Sequence, residues 1–359
     1  LGGNKTSFHS PRHPLGHSMT VAVFTSIHSG TSLLPHLQAI ISFLTKHGIQ
    51  CEIFDEASSM PLDADVYWDA VCADAGIPFE GINKENSDWL LTHPNKLCIT
   101  MHSATVFTIP PWVYLKSLGG IYWAIKTRWQ RRRFWRSFDT FHSLITVSDY
   151  ARYEITHFAG LPSRNIEVIH HGVDHNLFQP SEQGENCENP YLLHISSYQR
   201  VKNVDRLIKA YQQINNPNKP KLRLIVPNYT GKIDDANIEL ITTNQGHAQL
   251  VAQYQHATGF IFPSLVESFG LPILEAMACG CPVVTSNRAG CAEVAGDAAL
   301  LVDPYNVKSI QSALEVLIDS KETRQSLSKK GIARADQFDW SKSGRQHLAL
   351  FEKIAAGKT

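Results

Sequence analysis

The chain has no apolar run approaching the ~20 residues that a bilayer-spanning helix needs, and no segment has the charged-then-apolar layout of a secretory signal. The expectation is a cytoplasmic protein. It also lacks a charge excess: 33 Lys and Arg balance 33 Asp and Glu, so the chain as a whole offers nucleic acid no basic field. Its seven cysteines are odd in number and follow no regular framework, which argues for reduced thiols rather than a disulfide scaffold. Cys279 and Cys281 stand one residue apart with no second cluster, so no metal site is expected there. No strand is followed by Gly-x-Gly-x-x-Gly, which removes a dinucleotide-dependent dehydrogenase. Internal repeats and low-complexity tracts are absent as well.

What is present is an alternation of short apolar runs with amphipathic segments. Thr20 to Phe24, Cys51 to Phe54, Val66-Tyr67-Trp68 and Leu97 to Met101 read as strands, with a helix from about Leu34 to Lys46. That is the pattern of βα units and a parallel sheet, an α/β class. A chain of 359 residues exceeds one ordinary core and suits two domains of about 150 to 180 residues each.

The densest chemistry lies at Glu267-Ser268-Phe269-Gly270-Leu271-Pro272-Ile273-Leu274-Glu275. Upstream, Gly259-Phe260-Ile261-Phe262 is an apolar run of the kind buried on both faces of a parallel sheet. Gly270 permits positive φ or a close backbone approach, and Pro272 suits the first turn of a helix because its missing N–H is not needed there. The amides of Phe269, Gly270 and Leu271 then sit at a helix N-terminus, where unpaired N–H groups and the dipole favour a phosphate. Glu275, about one turn in, can accept from ribose hydroxyls, and Glu267, before the turn, can face a sugar beyond the phosphates. Taken singly, each acid has a plain alternative: the helix dipole alone favours a first-turn Glu, and a loop Glu is ordinarily solvated.

With the following run from Ala276 to Ser286, then Gly290 to Val294 and Ala298 to Pro304, this region resembles the C-terminal domain of the retaining GT-B glycosyltransferases of family GT4. Their E-x7-E signature falls on Glu267 and Glu275. The resemblance implies two Rossmann-like domains facing a cleft: an acceptor domain over 19–180, completed by a C-terminal helix within 341–359, a linker at 181–189, and a nucleotide-sugar donor domain over 190–340. Val168-Ile169-His170-His171-Gly172-Val173-Asp174 is similar to the segment ending the first domain, with His170-His171 where relatives carry Pro-Asn. His102, ending its strand, is implied to point at the donor sugar. Lys202 matches the cation that neutralises the departing diphosphate, whereas the partner Arg has no clean counterpart and Arg200 stands only two residues away. Gly30 lies near a cleft-lining loop, and Ser148 follows a strand into the cleft, where it also makes a good N-cap.

The implied activity is transfer of a sugar from a nucleotide-sugar donor to a sugar, lipid-linked or small-molecule acceptor, with retention. Glu267, His102 and Lys202 would be catalytic; Glu275, Ser268, Phe269, Gly270, Leu271, Arg200 and Gly30 would bind the donor. The sequence is read as having no Asp-x-Asp triplet of the sort metal-dependent transferases use, and no cofactor or metal is expected. A GT-B nucleotide-sugar isomerase and a non-catalytic nucleotide-sugar-binding protein use the same pocket and stay open.

Two stretches stand outside this frame. Residues 1–18 lack periodicity and read as a flexible or added lead, with Met19 as the natural start. Within 122–136, Lys126, Arg128, Arg131, Arg132, Arg133 and Arg136 are interleaved with Tyr122, Trp123, Trp129, Phe134 and Trp135. An amphipathic helix with tryptophans inside and arginines outside accounts for the pattern, as does peripheral contact with an anionic membrane at its inner face.

Overall fold

The computed structural model describes residues 18–25, 34–54, 63–72, 94–105, 118–137, 143–181 and 190–357. Gly30, residues 1–17 and most of the 181–189 linker lie outside the described residues.

The first half builds one six-stranded sheet from β1 (Thr20–Phe24), β2 (Gln50–Phe54), β3 (Val66–Cys72), β4 (Leu97–Met101), β5 (Ser143–Thr146) and β6 (Ile166–Val168). The order is β2-β1-β3-β4-β5-β6 with every pair parallel. Its described helices are α1 (Leu34–Lys46), α2 (Leu118–Ser137) and α3 (Asp149–Glu154). The second half runs β7 (Tyr191–Ile195), α4 (Val204–Gln212), β8 (Lys221–Ile225), β9 (Ile238–Ile241), α5 (His247–His256), β10 (Gly259–Phe262), α6 (Leu271–Ala278), β11 (Val283–Ser286), α7 (Ala289–Ala295) and β12 (Leu300–Val302), then α8 (Val307–Asp319), α9 (Lys321–Ala335) and α10 (Trp340–Ala355). Its sheet, again parallel, has the order β12-β11-β10-β7-β8-β9, the doubly wound arrangement. Both sheets are Rossmann-like, as expected.

Helices on both faces explain why β4, β5, β10 and β11 are buried at every residue and read as continuous apolar runs. The sheet order also fixes where a ligand goes. Between β7 and β10 the chain reverses its direction of winding, and the loops leaving their C-terminal ends splay apart to form a crevice.

The last helix returns to the first sheet. Val173 N–H donates to Phe338 O at 3.1 Å, the Asp339 side chain caps α10 through Ser341 N, and Leu350, Phe351 and Ile354 then pack among Leu37, Ile40, Leu44, Val21 and Trp68. Each such fully buried side chain is worth about 1.5–3 kcal/mol.

The α2 expectation is half right. Trp135 is buried, but Tyr122, Ile125 and Trp129 are exposed, while Arg128 and Arg131 are turned partly inward. Trp129 and Trp135 are therefore on different sides of the helix, because alternating Trp and Arg fit the same period in either orientation.

Candidate active site

The crevice is held in shape by Asn203. In the left-handed region at φ 63°, it caps α4 and donates from Nδ2 to Pro263 O at 2.9 Å and Pro304 O at 2.7 Å. Leu265 N–H adds a bond to Val201 O at 2.7 Å. The loops after β7, β10 and β12 are thus stitched together, and the stitching brings two distant residues into contact. Lys202, closing a 3-10 turn at Arg200–Lys202, donates to Glu267 Oε1 at 2.7 Å. Both side chains are largely buried, at 20% and 15% exposure, and the ammonium lies 5.4 Å from the Phe262 ring centroid. Charge-assisted pairing at that distance is strong where water is scarce. Arg200 opens the same turn and is exposed.

The motif turn follows its sequence. Gly270 takes φ +109° and caps α6, with Pro272 in the first turn and helix onset one residue earlier than expected, at Leu271. Gly290, at the start of α7, donates to Glu267 O at 2.8 Å. A Cβ on Gly290 would lie 2.5 Å from Ser268 O and 2.7 Å from Phe269 N, both rigid backbone. Gly290→Ala must therefore displace the motif turn. The expected loss is about 1–3 kcal/mol of stability by chemical denaturation, and an unchanged midpoint would show that the turn yields freely. Glu275 lies a turn further on, its Oε2 accepting from Tyr254 Oη at 3.0 Å. Burial raises its carboxyl to about 7, against the Tyr254 hydrogen bond, which lowers it.

The first half meets this turn directly. Ser148 caps α3 by accepting from Ala151 N at 2.9 Å and donates its hydroxyl proton to Ser268 O, so the capping residue also touches the motif turn. His102 is buried, its Nε2 donating to Ala70 O at 3.0 Å, and burial lowers it to about 4, opposed by that hydrogen bond. It stacks on His171 at 5.3 Å between centroids, and His171 in turn meets Phe269 edge-on at 5.2 Å. His102 thus reaches the motif through His171, one of the two residues that depart from the resemblance. The other, His170, contacts Glu293 Oε1 at 3.1 Å.

Sequence reasoning gave Glu293 no role. From α7, one turn after Gly290, it accepts from the amides of Asp149 at 2.8 Å and Tyr150 at 2.9 Å as well as from His170. Burial works to raise its pKa, but the hydrogen bonds from His170 and the two amides carry it below the usual value. It therefore clamps the first half against the helix that supports Glu267. His36 and His347 were also missed: His36 Nδ1 lies 3.1 Å from His171 Nδ1, and its ring centroid is 6.0 Å from that of His347. They come from α1 and α10, and nothing local marks them.

One Asp-x-Asp triplet does occur in the chain, Asp63-Ala64-Asp65. It precedes β3 at the strand's N-terminal end, away from the crevice, and Asp65 Oδ2 accepts from Thr20 N at 2.9 Å.

Two family models match nearly end to end: "Glycosyltransferase Family 4" over residues 87–177 and "Glycosyl transferases group 1" over 176–334. The chain is 29% identical over 274 residues to O-antigen chain mannosyltransferase B of Escherichia coli, covering 71% of this chain and 70% of that one. It is 32% identical over 226 residues to the MMP alpha-(1->4)-mannosyltransferase of Mycolicibacterium hassiacum, covering 59% of this chain and only 54% of that one. Among solved structures, sucrose-phosphate synthase of Thermosynechococcus elongatus superposes with TM-score 0.68 at 18% identity, covering 94% of this chain and 99% of that one. HepE of Anabaena, solved with UDP and glucose, gives 0.66 at 15% identity, covering 92% and 99%. These likenesses establish the GT-B fold, and with the two matched models the chain belongs to the group 1 glycosyltransferases of family 4.

Proposed function

We propose that the chain transfers a sugar from a nucleoside diphosphate-sugar to an acceptor hydroxyl, with retention of configuration and without a metal ion. The observation that carries this is the Lys202–Glu267 pair, 2.7 Å apart, beside the N-terminus of α6 at the reversal of strand order. The helix end and Lys202 supply positive potential where a diphosphate leaves. Glu267 accepts from the transferred sugar and holds Lys202 in place until the phosphates take over that contact. Glu275 faces the ribose with the oxygen that Tyr254 leaves available. The remote position of the Asp-x-Asp triplet favours the metal-free reading. His102 contributes from the opposite wall, and the acceptor enters from the first half. HepE was solved with UDP-glucose, and the two similar enzymes of Escherichia coli and Mycolicibacterium hassiacum are mannosyltransferases, which supports a nucleoside diphosphate-hexose as the donor. We place the protein in the cytoplasm, at the inner face of a membrane.

Thermal stability with UDP, GDP, ADP and their sugar conjugates tests the pocket without a known acceptor. At about 100 times its dissociation constant a ligand adds about 2.7 kcal/mol. A rise with one base, reduced in Glu275→Ala, is the expected result. No rise with any nucleotide would withdraw Glu275 from the ribose.

A further inference from the structure

On the 3.6-residue period, Tyr122, Ile125, Lys126, Trp129 and Arg133 share one face of α2. The three apolar side chains at its centre are 70%, 55% and 62% exposed, and the Arg133 guanidinium lies 5.5 Å from the Trp129 ring centroid. The far side is buried at Trp135, and Arg132, on the flank of the stripe beside Ile125, fastens the helix by donating from Nε to Phe158 O at 2.7 Å. A soluble helix ordinarily turns its large apolar residues inward, so a line of three left outside marks a contact surface. The helix carries six cations and no acid in a chain whose formal net charge is zero. It is also not apolar enough to cross a membrane.

We infer that this face of α2 docks on an anionic lipid bilayer, lying in the interface plane. Tyr122, Ile125 and Trp129 enter the headgroup boundary, and Lys126 and Arg133 on the same face meet lipid phosphates. Tyr and Trp suit that depth because each has an apolar body and a polar edge, and the stripe spans about 17 Å of helix. Lipid is favoured over a protein partner by charge complementarity: only a surface that is both anionic and apolar beneath satisfies the rings and the cations together. The inference names the face of the 122–136 helix and the side chains that meet the anionic membrane expected from the sequence, and it is independent of the transfer reaction.

The test is flotation of the full chain with phosphatidylcholine vesicles, with and without phosphatidylglycerol, in the absence of nucleotide. Binding is expected only with the anionic lipid and should weaken with salt. Tyr122→Ser/Ile125→Ser/Trp129→Ser should lower the partition coefficient at least about tenfold, and Lys126→Gln/Arg133→Gln by about fivefold per charge. Both variants alter exposed side chains, so melting temperatures like the parent's will certify their folds. No binding to anionic vesicles, or equal binding by the triple variant, overturns the inference. So does a lipid-free dimer in sedimentation velocity that the triple variant abolishes, since the face then belongs to a second copy. Because no nucleotide is present, any of these leaves the thermal-shift test of the donor pocket untouched.

Discussion

Glu267→Ala is expected to lower turnover at saturating donor by about 10²–10³-fold, the usual loss when one preorganised polar group is removed from a developing charge. The size follows from position rather than from residue type. Glu267 is 15% exposed, its carbonyl is pinned by Gly290, and its carboxylate is bound to Lys202, so few alternative groups can take its place. The loss should fall mainly on kcat. Nucleotide-induced thermal stabilisation should survive, because the proposed function assigns the diphosphate to the α6 amides and Lys202, and the ribose to Glu275. Lys202→Ala should lose both turnover and a share of that stabilisation, because on the proposed reading the ammonium is the group that meets the phosphates. Glu267→Gln separates charge from shape: it keeps a hydrogen-bond acceptor, so a rate near that of Glu267→Ala assigns the effect to charge. A near-normal rate in Glu267→Ala would remove the residue from the mechanism.

What the sequence disclosed depends on how local each signal is. β10 and the Gly270–Pro272 helix start are written in adjacent residues, through a buried apolar run, a position needing positive φ and a helix-opening proline, and the structure places them within a residue of expectation. The Lys202–Glu267 contact joins positions 65 apart, so only the resemblance could pair them. Glu293 looked like one more helical acid. Its function depends on two amides of α3, and backbone donors carry no sequence signature. The orientation of α2 was ambiguous because a helix that alternates Trp with Arg has no single apolar face to choose. The two histidines that replace Pro-Asn looked like a weakening of the resemblance. Folded, His170 binds the interdomain clamp and His171 bridges His102 to Phe269, so both are part of the contact between the halves.

Those histidines also make the fold acid-sensitive. His36 on α1, His102 just after β4, His171 after β6 and His347 on α10 are all buried, with His36 meeting the other three and His102 stacking on His171. Around them stand Trp68, Trp340, Phe351 and Phe269, and Glu293 is bonded to His170 rather than to any of the four. Burial lowers every one of the four: His102 and His347 fall from 6.5 to about 4, opposed by hydrogen bonds to Ala70 and Ser343. His36 and His171 fall well below 6.5, helped by repulsion from their neighbours. The folded chain thus holds these rings neutral in a range where the unfolded chain takes up protons. Stability is fully present above about pH 6.5 and is lost progressively as pH falls toward 4, by about 3 kcal/mol for each histidine shifted that far. Two such residues already rival the total stability of an ordinary domain, about 5–15 kcal/mol. Denaturant midpoints at intervals from pH 8 to pH 4 should therefore fall steeply below 6.5, and His347→Gln, which removes one titrating ring, should flatten the slope by up to about 1.4 kcal/mol per pH unit. A midpoint that stays level to pH 5, or a slope unaltered in His347→Gln, would mean that the cluster opens to water before its protons matter.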